Sequence, residues 1–572
     1  MSLDVGEKSV KKHLINQTQQ MSFLPEPYKH SYEIAPEYSK SVAYFSMEFA
    51  IDQTLKIYSG GLGFLAGSHM RSVYDLKQNE IGIGILWSYG YYNQVRGENR
   101  EMAVSHRRKI YHFLKDTGIK FQIKVHGADV WVKAMYLPAD VFGTAPMFFL
   151  TTDIEENDHV SRTISHRLYD SDIMTRTAQY ILLGVGGARL LEELGVDPDV
   201  WHLNEAHALS AAFYVYAKTR SMEEVKKRFV FTTHTPVEAG NEKSSLDMLK
   251  KFSFFSDLSD EEIRDVTGVQ DDLFNHTLVG LRMARIANAV SKLHGDVSRD
   301  MWKDHEGICE ITHVTNAQNK KYWADGELDE ARAANDKVAL AARKRRLKEK
   351  LCNEVASQTG RLFDPDVLTI VWARRFAGYK RANLVSRDIE RFKAMLERSN
   401  KPVQIIWAGK PYPKDYDAIE EFNALCDLSN EHANMAVLVG YELQLSKLLK
   451  DGSDLWLNNP VVTREASGTS GMTAAMNGSV NFSTYDGWVC EFSKHGHNSY
   501  LIPEADTNLT PEARDQHDML GFYQILDTEV LPTYYDNKDK WWDVVLNSMN
   551  EVVPFFDSGR MADEYYKNIY NV

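Results

Sequence analysis

Short runs of apolar residues recur along the chain, and amphipathic helical patterns separate them. Several runs are almost continuously apolar, which is typical of parallel strands buried on both faces. In the first half they lie at 42–47, 81–86, 147–152, 200–204, 229–234 and 311–315, and in the second half at 367–373, 403–409, 435–441, 454–459 and 479–483. This alternation predicts an α/β protein with doubly wound sheets.

The length of the chain predicts more than one domain, because 572 residues exceed what a single hydrophobic core supports. A charged, alanine-rich helical segment at 325–360 lies between the two series of strands. It fits a solvated surface helix, and its position also suits a connection between domains. We therefore expect an N-terminal domain over 1–324, a C-terminal domain over 361–530, and terminal helices over 531–572.

Charge and cysteine usage narrow the class of protein. A net charge of −14 argues against nucleic-acid and anionic-membrane partners, which require a basic face. The cysteines Cys309, Cys352, Cys426 and Cys490 form no C-x-x-C pair, so neither a zinc site nor a disulfide framework is indicated. Residues 1–20 lack the apolar core of a signal peptide. These features together predict a cytoplasmic protein.

Chemically distinctive segments follow the predicted strands, where open parallel sheets bind their ligands. The segment 373–381 carries four cations and is a candidate phosphate clamp, although a basic helix start has the same composition. Gly60 and Gly61 precede a helical pattern, as in anion-binding loops and also in plain tight turns. The segment 465–473 offers a carboxylate, hydroxyls and unhindered N–H groups, or else simply caps a helix.

Histidines end two of the first-half runs. His202 and His207 flank one strand end, and His234 follows another. Their spacing matches no zinc pattern, so a hydrogen bond to a sugar is the better interpretation and no metal is expected. For His202, a buried structural role is the alternative.

Taken together, these segments resemble the glycogen (α-glucan) phosphorylase family, in particular its shorter prokaryotic members. The matching motifs run from near Val42 to near Glu491 in the family's order. They include YFSMEFAI, IYSGGLGFLAG, VWHLNEAHA, FTTHTPVEAG, KLHGDVSRDMW, ARRFAGYKRA, WAGKPYPKD and TREASGTSGM. The resemblance implies a GT-B fold, with two Rossmann-like domains facing across a deep cleft. It also implies a C-terminal helix that returns to the first domain, and commonly a homodimer.

The resemblance implies a retaining glucosyltransferase that converts α-1,4-glucan or a related oligosaccharide and phosphate reversibly to glucose 1-phosphate. In that family the 5′-phosphate of pyridoxal phosphate (PLP) relays a proton. The implied glucose contacts are Glu48, Asn204, His234, Asn316, Glu465, Ser467 and Gly468. The implied phosphate site is Arg375 and Lys380 beside the amides of Gly60, Gly61 and Leu62, and the implied cofactor contacts are Thr469, Tyr441 and Trp323. Among these, His234, Arg375, Lys380 and Glu465 would carry the catalysis.

One departure from the family pattern concerns the cofactor. Thr473 stands where the family has the lysine that binds PLP as an imine, and threonine has no amine. No covalent PLP is therefore expected. Three interpretations stay open: a phosphorylase that holds PLP non-covalently, a GT-B glycosyltransferase that uses a nucleotide-sugar donor without PLP, and a non-catalytic glucan-binding protein. The nearly complete sugar and phosphate set favours an enzyme.

Further departures are Ser68, the segment 317–319 and the pair Pro411-Tyr412. Within 317–319, Ala317, Gln318 and Asn319 replace the family's Gly-Val-His. The sugar half of the predicted site is therefore complete, and the cofactor half is altered.

Overall fold

The computed structural model describes Leu24 and residues 27–572. The stretch for which the sequence predicts no signal peptide, residues 1–20, lies outside the described residues. Within them, no helix combines the length and the apolar character that a membrane crossing requires. The four cysteines are free thiols.

The first half of the described chain is built on a nine-stranded sheet and two two-stranded antiparallel sheets. Its strands are β1 (Val42–Phe45), β2 (Glu80–Ile85), β3 (Asn93–Arg96), β4 (Met102–Ser105), β5 (Lys115–Val125), β6 (Ala128–Leu137), β7 (Met147–Thr151), β8 (Val200–Asn204), β9 (Phe229–Thr232), β10 (Lys243–Ser245), β11 (Leu273–Asn275), β12 (Ile286–Ala289) and β13 (Glu310–His313). The order in the large sheet is β13-β12-β9-β8-β1-β2-β7-β6-β5. The strands from β13 to β7 are parallel, and β6 and β5 continue the sheet in antiparallel pairs.

The second half contains a six-stranded sheet, counted over the same described residues, in which all neighbours are parallel. Its strands are β14 (Leu368–Ala373), β15 (Val403–Ala408), β16 (Met435–Leu438), β17 (Leu455–Asn458), β18 (Val480–Ser483) and β19 (Ser499–Leu501). Their order is β16-β15-β14-β17-β18-β19. The order therefore reverses between β14 and β17, where a crevice opens in sheets of this kind.

Helices connect the strands in both halves. In the first half they are α1 (Gly61–Leu76), α2 (Ala139–Phe142), α3 (His159–Thr163), α4 (Ile173–Ile181), α5 (Gly187–Glu193), α6 (Ser210–Thr219), α7 (Met222–Arg228), α8 (Leu246–Lys251), α9 (Asp260–Thr267), α10 (His276–Met283), α11 (Lys292–Trp302) and α12 (Lys320–Trp323). The later helices are α13 (Gly326–Ala333), α14 (Lys337–Thr359), α15 (Ile389–Glu397), α16 (Tyr416–Glu431), α17 (Leu443–Gly452), α18 (Ser470–Met476), α19 (Val489–Phe492), α20 (Pro511–Ile525), α21 (Leu531–Asp536), α22 (Lys538–Phe556) and α23 (Ser558–Tyr565).

The predicted α/β class with large parallel sheets is confirmed, and each predicted apolar run contains a strand. The prediction missed β12, because a four-residue strand with two alanines carries little β-forming signal. It also missed the β5–β6 hairpin, although both strands alternate between buried and exposed positions and the turn has left-handed residues at His126 and Gly127.

The predicted connecting segment is not a fully solvated helix. In α14, Leu340, Leu347 and Val355 are buried, and they belong to the apolar clusters beneath the second sheet. One stripe of the helix therefore packs on the second half of the molecule while its charged face meets solvent.

The chain returns to the first sheet at its end. α22 packs into the core of the second half, whereas α23 and the following turn, Tyr566–Tyr570, pack beside β1, β8 and β9. The Tyr570 hydroxyl lies 2.7 Å from His202 Nδ1, and Thr232 Oγ1 lies 2.7 Å from His202 Nε2. His202 is thus a buried, fully hydrogen-bonded histidine at the seam between the last turn and the sheet.

Candidate active site

A cavity of about 580 Å³ lies where the strand ends of the two halves face each other. Its lining follows β1, β8, β9 and β13 on one side and β14, β15, β16 and β17 on the other. The predicted site residues that line it are Glu48, Gly60, Gly61, Leu62, His234, Asn316, Arg375, Lys380, Tyr441, Glu465, Ser467, Gly468 and Thr469. The remaining predicted residues, Asn204, Trp323 and Thr473, lie behind this lining.

The cationic side of the cavity sits at the reversal between β14 and β17. Arg374 Nη2 and Lys380 Nζ donate to the same oxygen, Glu465 Oε2, at 2.7 and 2.8 Å. Arg375 is exposed to the cavity. Three cations therefore surround one carboxylate, and the formal charge of +2 that remains suits a phosphate dianion.

The carboxylate of this cluster stays ionised over the whole useful pH range. Burial opposes the ionisation of Glu465, but Lys380 and Arg374 outweigh it and lower its pKa to about 2. Asp486 behaves in the opposite way, since burial raises its pKa to about 7 although it accepts the backbone N–H of Glu465 at 2.9 Å.

The loop that carries Glu465 is held from both halves of the molecule. Ser291 Oγ, at the start of α11, donates to the Ala466 carbonyl at 2.6 Å, and the Trp488 N–H donates to the Ser467 carbonyl at 3.0 Å. Gly487 has φ +58°, and a Cβ built there would lie 2.4 Å from the Ser467 carbonyl oxygen. Only glycine allows the backbone this close approach.

On the first sheet, His234 follows β9 and is fixed by two residues at the end of β8. Its Nε2–H donates to Asn204 Oδ1 at 2.7 Å, and its backbone N–H donates to Glu205 Oε1 at 2.5 Å. Burial lowers the pKa of His234 to about 3, so its ring is neutral. Asn204 therefore acts here by orienting His234, although it does not itself line the cavity.

Glu48 joins the end of β1 to the glycine loop. It accepts the N–H groups of Ser59 and Gly60 at 2.6 and 3.1 Å, and the Tyr169 hydroxyl at 2.9 Å. Burial raises the pKa of Glu48 in spite of these donors. The Gly60 amide therefore already donates to Glu48, while Gly60, Gly61 and Leu62 line the cavity as predicted.

Of the predicted cofactor contacts, only some reach the cavity. Tyr441 and Thr469 line it, and the Tyr441 hydroxyl donates to the Ala373 carbonyl at 3.3 Å. Trp323 is buried behind them and donates its Nε1–H to Ser68 Oγ at 3.3 Å. Thr473 is buried in α18, and its hydroxyl donates to the Ser470 carbonyl at 3.0 Å.

The other departures from the family pattern also have defined contacts. Ser68 Oγ donates to Gln318 Oε1 at 2.7 Å, which places both residues beside Trp323. On the opposite side, Tyr412 donates to the Tyr169 carbonyl at 3.2 Å and lines the cavity. The described residues contain no cluster of three or more histidine, cysteine, aspartate or glutamate side chains able to hold a metal ion.

Sequence reasoning did not single out several residues of this site. Arg374 was one of four cations in a motif, and nothing in the sequence shows which of them face the carboxylate. Tyr169 comes from a segment without a strand signal. Glu205 lies directly after Asn204 and has φ +70°, a strained backbone that only the structure reveals.

Comparison with known proteins agrees with this arrangement. The family model for carbohydrate phosphorylases matches residues 326–502. A maltodextrin phosphorylase of Thermococcus litoralis is 34% identical over 94% of this chain and 71% of its own length. A glycogen phosphorylase of Aquifex aeolicus is 32% identical over 93% of this chain and 86% of its own. An uncharacterized protein of Methanocaldococcus jannaschii is 44% identical over 93% of this chain and all of its own length.

The chain belongs to the carbohydrate phosphorylase family. The matches to the named phosphorylases extend over both sheets and the cavity between them, so the cavity is the site in which the family's chemistry is to be sought.

Proposed function

We propose that the protein is a retaining glucosyltransferase that converts α-glucan and phosphate reversibly to glucose 1-phosphate. The observation that carries this proposal is the cluster of Arg374, Arg375 and Lys380 around Glu465, facing His234 across one cavity. The names of the relatives, maltodextrin phosphorylase and glycogen phosphorylase, support the same activity. Thirteen of the sixteen site residues predicted from the sequence line that cavity.

We further propose that the two sheets are the cores of two Rossmann-like domains of a GT-B fold, over 1–324 and 361–530. Segment 325–360 connects them, and the helices of 531–572 close the molecule. The second sheet supports this assignment, because its order reads 3-2-1-4-5-6 when its strands are numbered along the chain. The ligand crevice of such a sheet lies at the reversal, which is where Arg374 and Glu465 meet.

In this proposal the cations hold the phosphate, and the first sheet orients the sugar. Arg375 has no carboxylate partner among the described residues and meets the phosphate directly, while Arg374 and Lys380 share their charge with Glu465. The excess positive charge stabilises phosphate as both nucleophile and leaving group, depending on the direction of reaction.

The neutral state of His234 matters at the anomeric carbon. Positive charge develops on that carbon in the transition state, and a protonated imidazole nearby would oppose it. Burial keeps the ring neutral, the bond to Asn204 orients the ring, and the bond to Glu205 fixes the backbone of His234. Its carbonyl oxygen is then free to face the carbon that becomes electron-poor.

The residues around Arg374 fit a second phosphate group, such as the one that PLP carries. Arg374 Nε and Nη1 and Ser467 Oγ are buried polar atoms without a hydrogen-bond partner among the described residues. Such donors need an acceptor, and an anion between them supplies it. Thr469, Tyr441 and Trp323 would be the other contacts of the PLP molecule. When bound, PLP would supply a phosphate that relays a proton to the substrate phosphate.

A nucleotide-sugar donor is the competing assignment, because Thr473 has no amine to hold PLP and a diphosphate would also meet the unpaired donors of Arg374. A non-catalytic glucan-binding protein is the third, but it would have no use for three clustered cations beside the sugar contacts.

The deciding experiment measures glucose 1-phosphate formed from maltooligosaccharide and inorganic phosphate, with and without added PLP. We expect product that rises with PLP. A parallel reaction supplies nucleotide-glucose donors and measures chain elongation. Product in that reaction alone would replace phosphorolysis by nucleotide-sugar transfer, and product in neither would leave the glucan-binding assignment.

A further inference from the structure

Lys450 is a buried lysine in α17 that the chemistry described so far does not use. Lys450 is buried and lies in the last turn of α17, the helix that follows Tyr441. Nζ stands 3.9 Å from the ring centroid of Trp323, 5.6 Å from that of Phe64 and 5.9 Å from that of Trp456. The amine is therefore enclosed by three aromatic rings, which we call the aromatic cage.

No oxygen atom of the described residues accepts a hydrogen bond from Lys450 Nζ. The adjacent carboxylate, Asp451, pairs with Lys447 at 3.3 Å instead. Two other buried lysines outside the cavity differ: Lys344 donates to the Asn477 carbonyl at 2.7 Å, and Lys348 to Asp454 Oδ2 at 2.5 Å. Those two have evident structural roles, and Lys450 has none.

The environment favours the neutral, nucleophilic form of the amine. Burial lowers the pKa of Lys450 well below its usual value, and Asp451 offsets only part of this effect. Lysines that form imines with carbonyl compounds in proteins are activated by this kind of desolvation.

The aromatic cage adjoins both the cavity and the helix that carries Thr473. Phe64 lines the cavity as well as the cage. Trp456 donates its Nε1–H to Ser470 Oγ at 3.3 Å, which ties the cage to the first residue of α18. Trp323, the ring nearest to the amine, is also one of the cofactor contacts that the family resemblance implies.

We propose that Lys450 is the covalent attachment point for PLP and takes the role that Thr473 cannot fill. This inference rests on the proposed function. Nζ attacks the aldehyde carbon of PLP, a C=N bond forms, and the aldehyde oxygen leaves as water with the two protons of the neutral amine. No oxidant or reductant takes part. The unpaired donors of Arg374 would receive the phosphate at the other end of PLP.

The test traps the bond chemically and does not depend on turnover. The full-length protein is incubated with an equimolar amount of PLP, reduced with borohydride and digested, and the pyridoxyl group is located by mass spectrometry. We expect about one group per chain, on Lys450, together with an absorbance band of bound PLP before reduction. Adducts confined to other lysines, or none at all, would overturn the proposal.

Three variants separate attachment at Lys450 from nonspecific labelling. Lys450→Met fills the cage with an apolar chain and should lose both the band and the adduct, while its melting temperature shows that it folds. Lys447→Met, one turn earlier in the same helix, should keep both. The double variant Lys450→Met/Thr473→Lys should regain the band, with the adduct now at position 473.

The trapping experiment at Lys450 and the assay for glucose 1-phosphate can fail separately, so each tests its own proposal. Phosphorolysis without an adduct at Lys450 would refute the attachment and leave the phosphorylase assignment standing. An adduct at Lys450 without any glucose 1-phosphate would support the attachment and refute the assignment. A protein that fails both assays would refute both.

Discussion

Arg375 is the cation of the site whose loss should affect binding with little effect on folding. It is exposed to the cavity and has no carboxylate partner among the described residues, so Arg375→Ala leaves no buried charge behind. Hydrogen bonds to charged groups contribute about 1.5–3 kcal/mol. We therefore expect kcat/KM for phosphate to fall roughly 10- to 150-fold, with an unchanged melting temperature.

The control for this variant is Arg387→Ala, which removes an arginine that pairs with Asp515 on the surface. Its kinetics should match those of the wild type. Normal phosphate kinetics in Arg375→Ala would show that the phosphate binds elsewhere.

Glu465 should stabilise the fold as well as orient the site. Glu465→Gln leaves Arg374 and Lys380 buried without their anion, and breaking a buried pair in this way costs about 3–5 kcal/mol. We expect a lower melting temperature, which inorganic phosphate should raise more in Glu465→Gln than in the wild type, since phosphate replaces the lost negative charge. Thermal unfolding over a phosphate series measures this difference, and equal shifts in both proteins would contradict the placement of phosphate beside Arg374.

Individual residues were predictable only where a motif carried them. Glu48, His234 and Glu465 belong to family-like segments, so the sequence placed them near a sugar site. Lys450 belongs to no such segment, and its importance depends on rings contributed by α1, α12 and β17. Helical spacing does place Lys450 on the buried face of α17, because it lies four residues after Ser446 and seven after Leu443, both of which are buried.

At the scale of elements, apolar runs located the parallel strands because burial on both faces leaves an unmistakable pattern. The same signal is weak at the edges of the sheets. β19 has only three residues, and β5 is an edge strand that joins the sheet by pairing with β6 alone. Such elements owe their place to neighbours that are distant in sequence, so local pattern alone could not assign them.

The loop from Glu465 to Thr469 should depend on Gly487. In Gly487→Ala, the new Cβ would lie 2.4 Å from the Ser467 carbonyl oxygen. The alanine would also have to adopt φ +58°, which is unfavourable for any residue with a Cβ. Gly496→Ala imposes similar strain, at φ +70°, but meets no atom within 4 Å. Backbone strain of this kind costs about 1–2 kcal/mol, so both variants should be less stable. Only Gly487→Ala should also lose phosphorolysis, as measured by kcat. Equal activity losses would mean that the loop does not need this close approach.

At the scale of the whole molecule, one carboxylate joins the two halves beside the cavity. Glu442, just before α17, accepts the Gln53 amide at 2.9 Å and pairs with Lys56, and both partners come from the first half. Lys410, after β15, reaches Glu442 at 3.1 Å and the Tyr92 carbonyl at 3.0 Å. These five residues come from four separate segments of the chain, and no sequence pattern predicts that the segments meet.

Glu442 should therefore make the joining of the two halves sensitive to acid. Burial opposes its ionisation, but Lys410 and Lys56 prevail and lower its pKa to about 2, below the ordinary value of 4.5. Its contribution is full above about pH 4.5 and is lost as the pH falls through about 2, and it amounts to about 3 kcal/mol. Glu442→Gln should be less stable than the wild type at pH 7, and the difference in unfolding free energy should shrink to nearly zero at pH 2.

Denaturant unfolding at a series of pH values measures the Glu442 effect, with the exposed Glu98→Gln as the control that removes a carboxylate without partners of this kind. Hydrogen exchange should locate the change, because residues 51–59 and 409–415 lose their shared anchor while the strands remain intact. A stability difference that persists at pH 2 would mean that Glu442 acts through packing. A difference without faster exchange in these two segments would mean that other contacts hold the halves together.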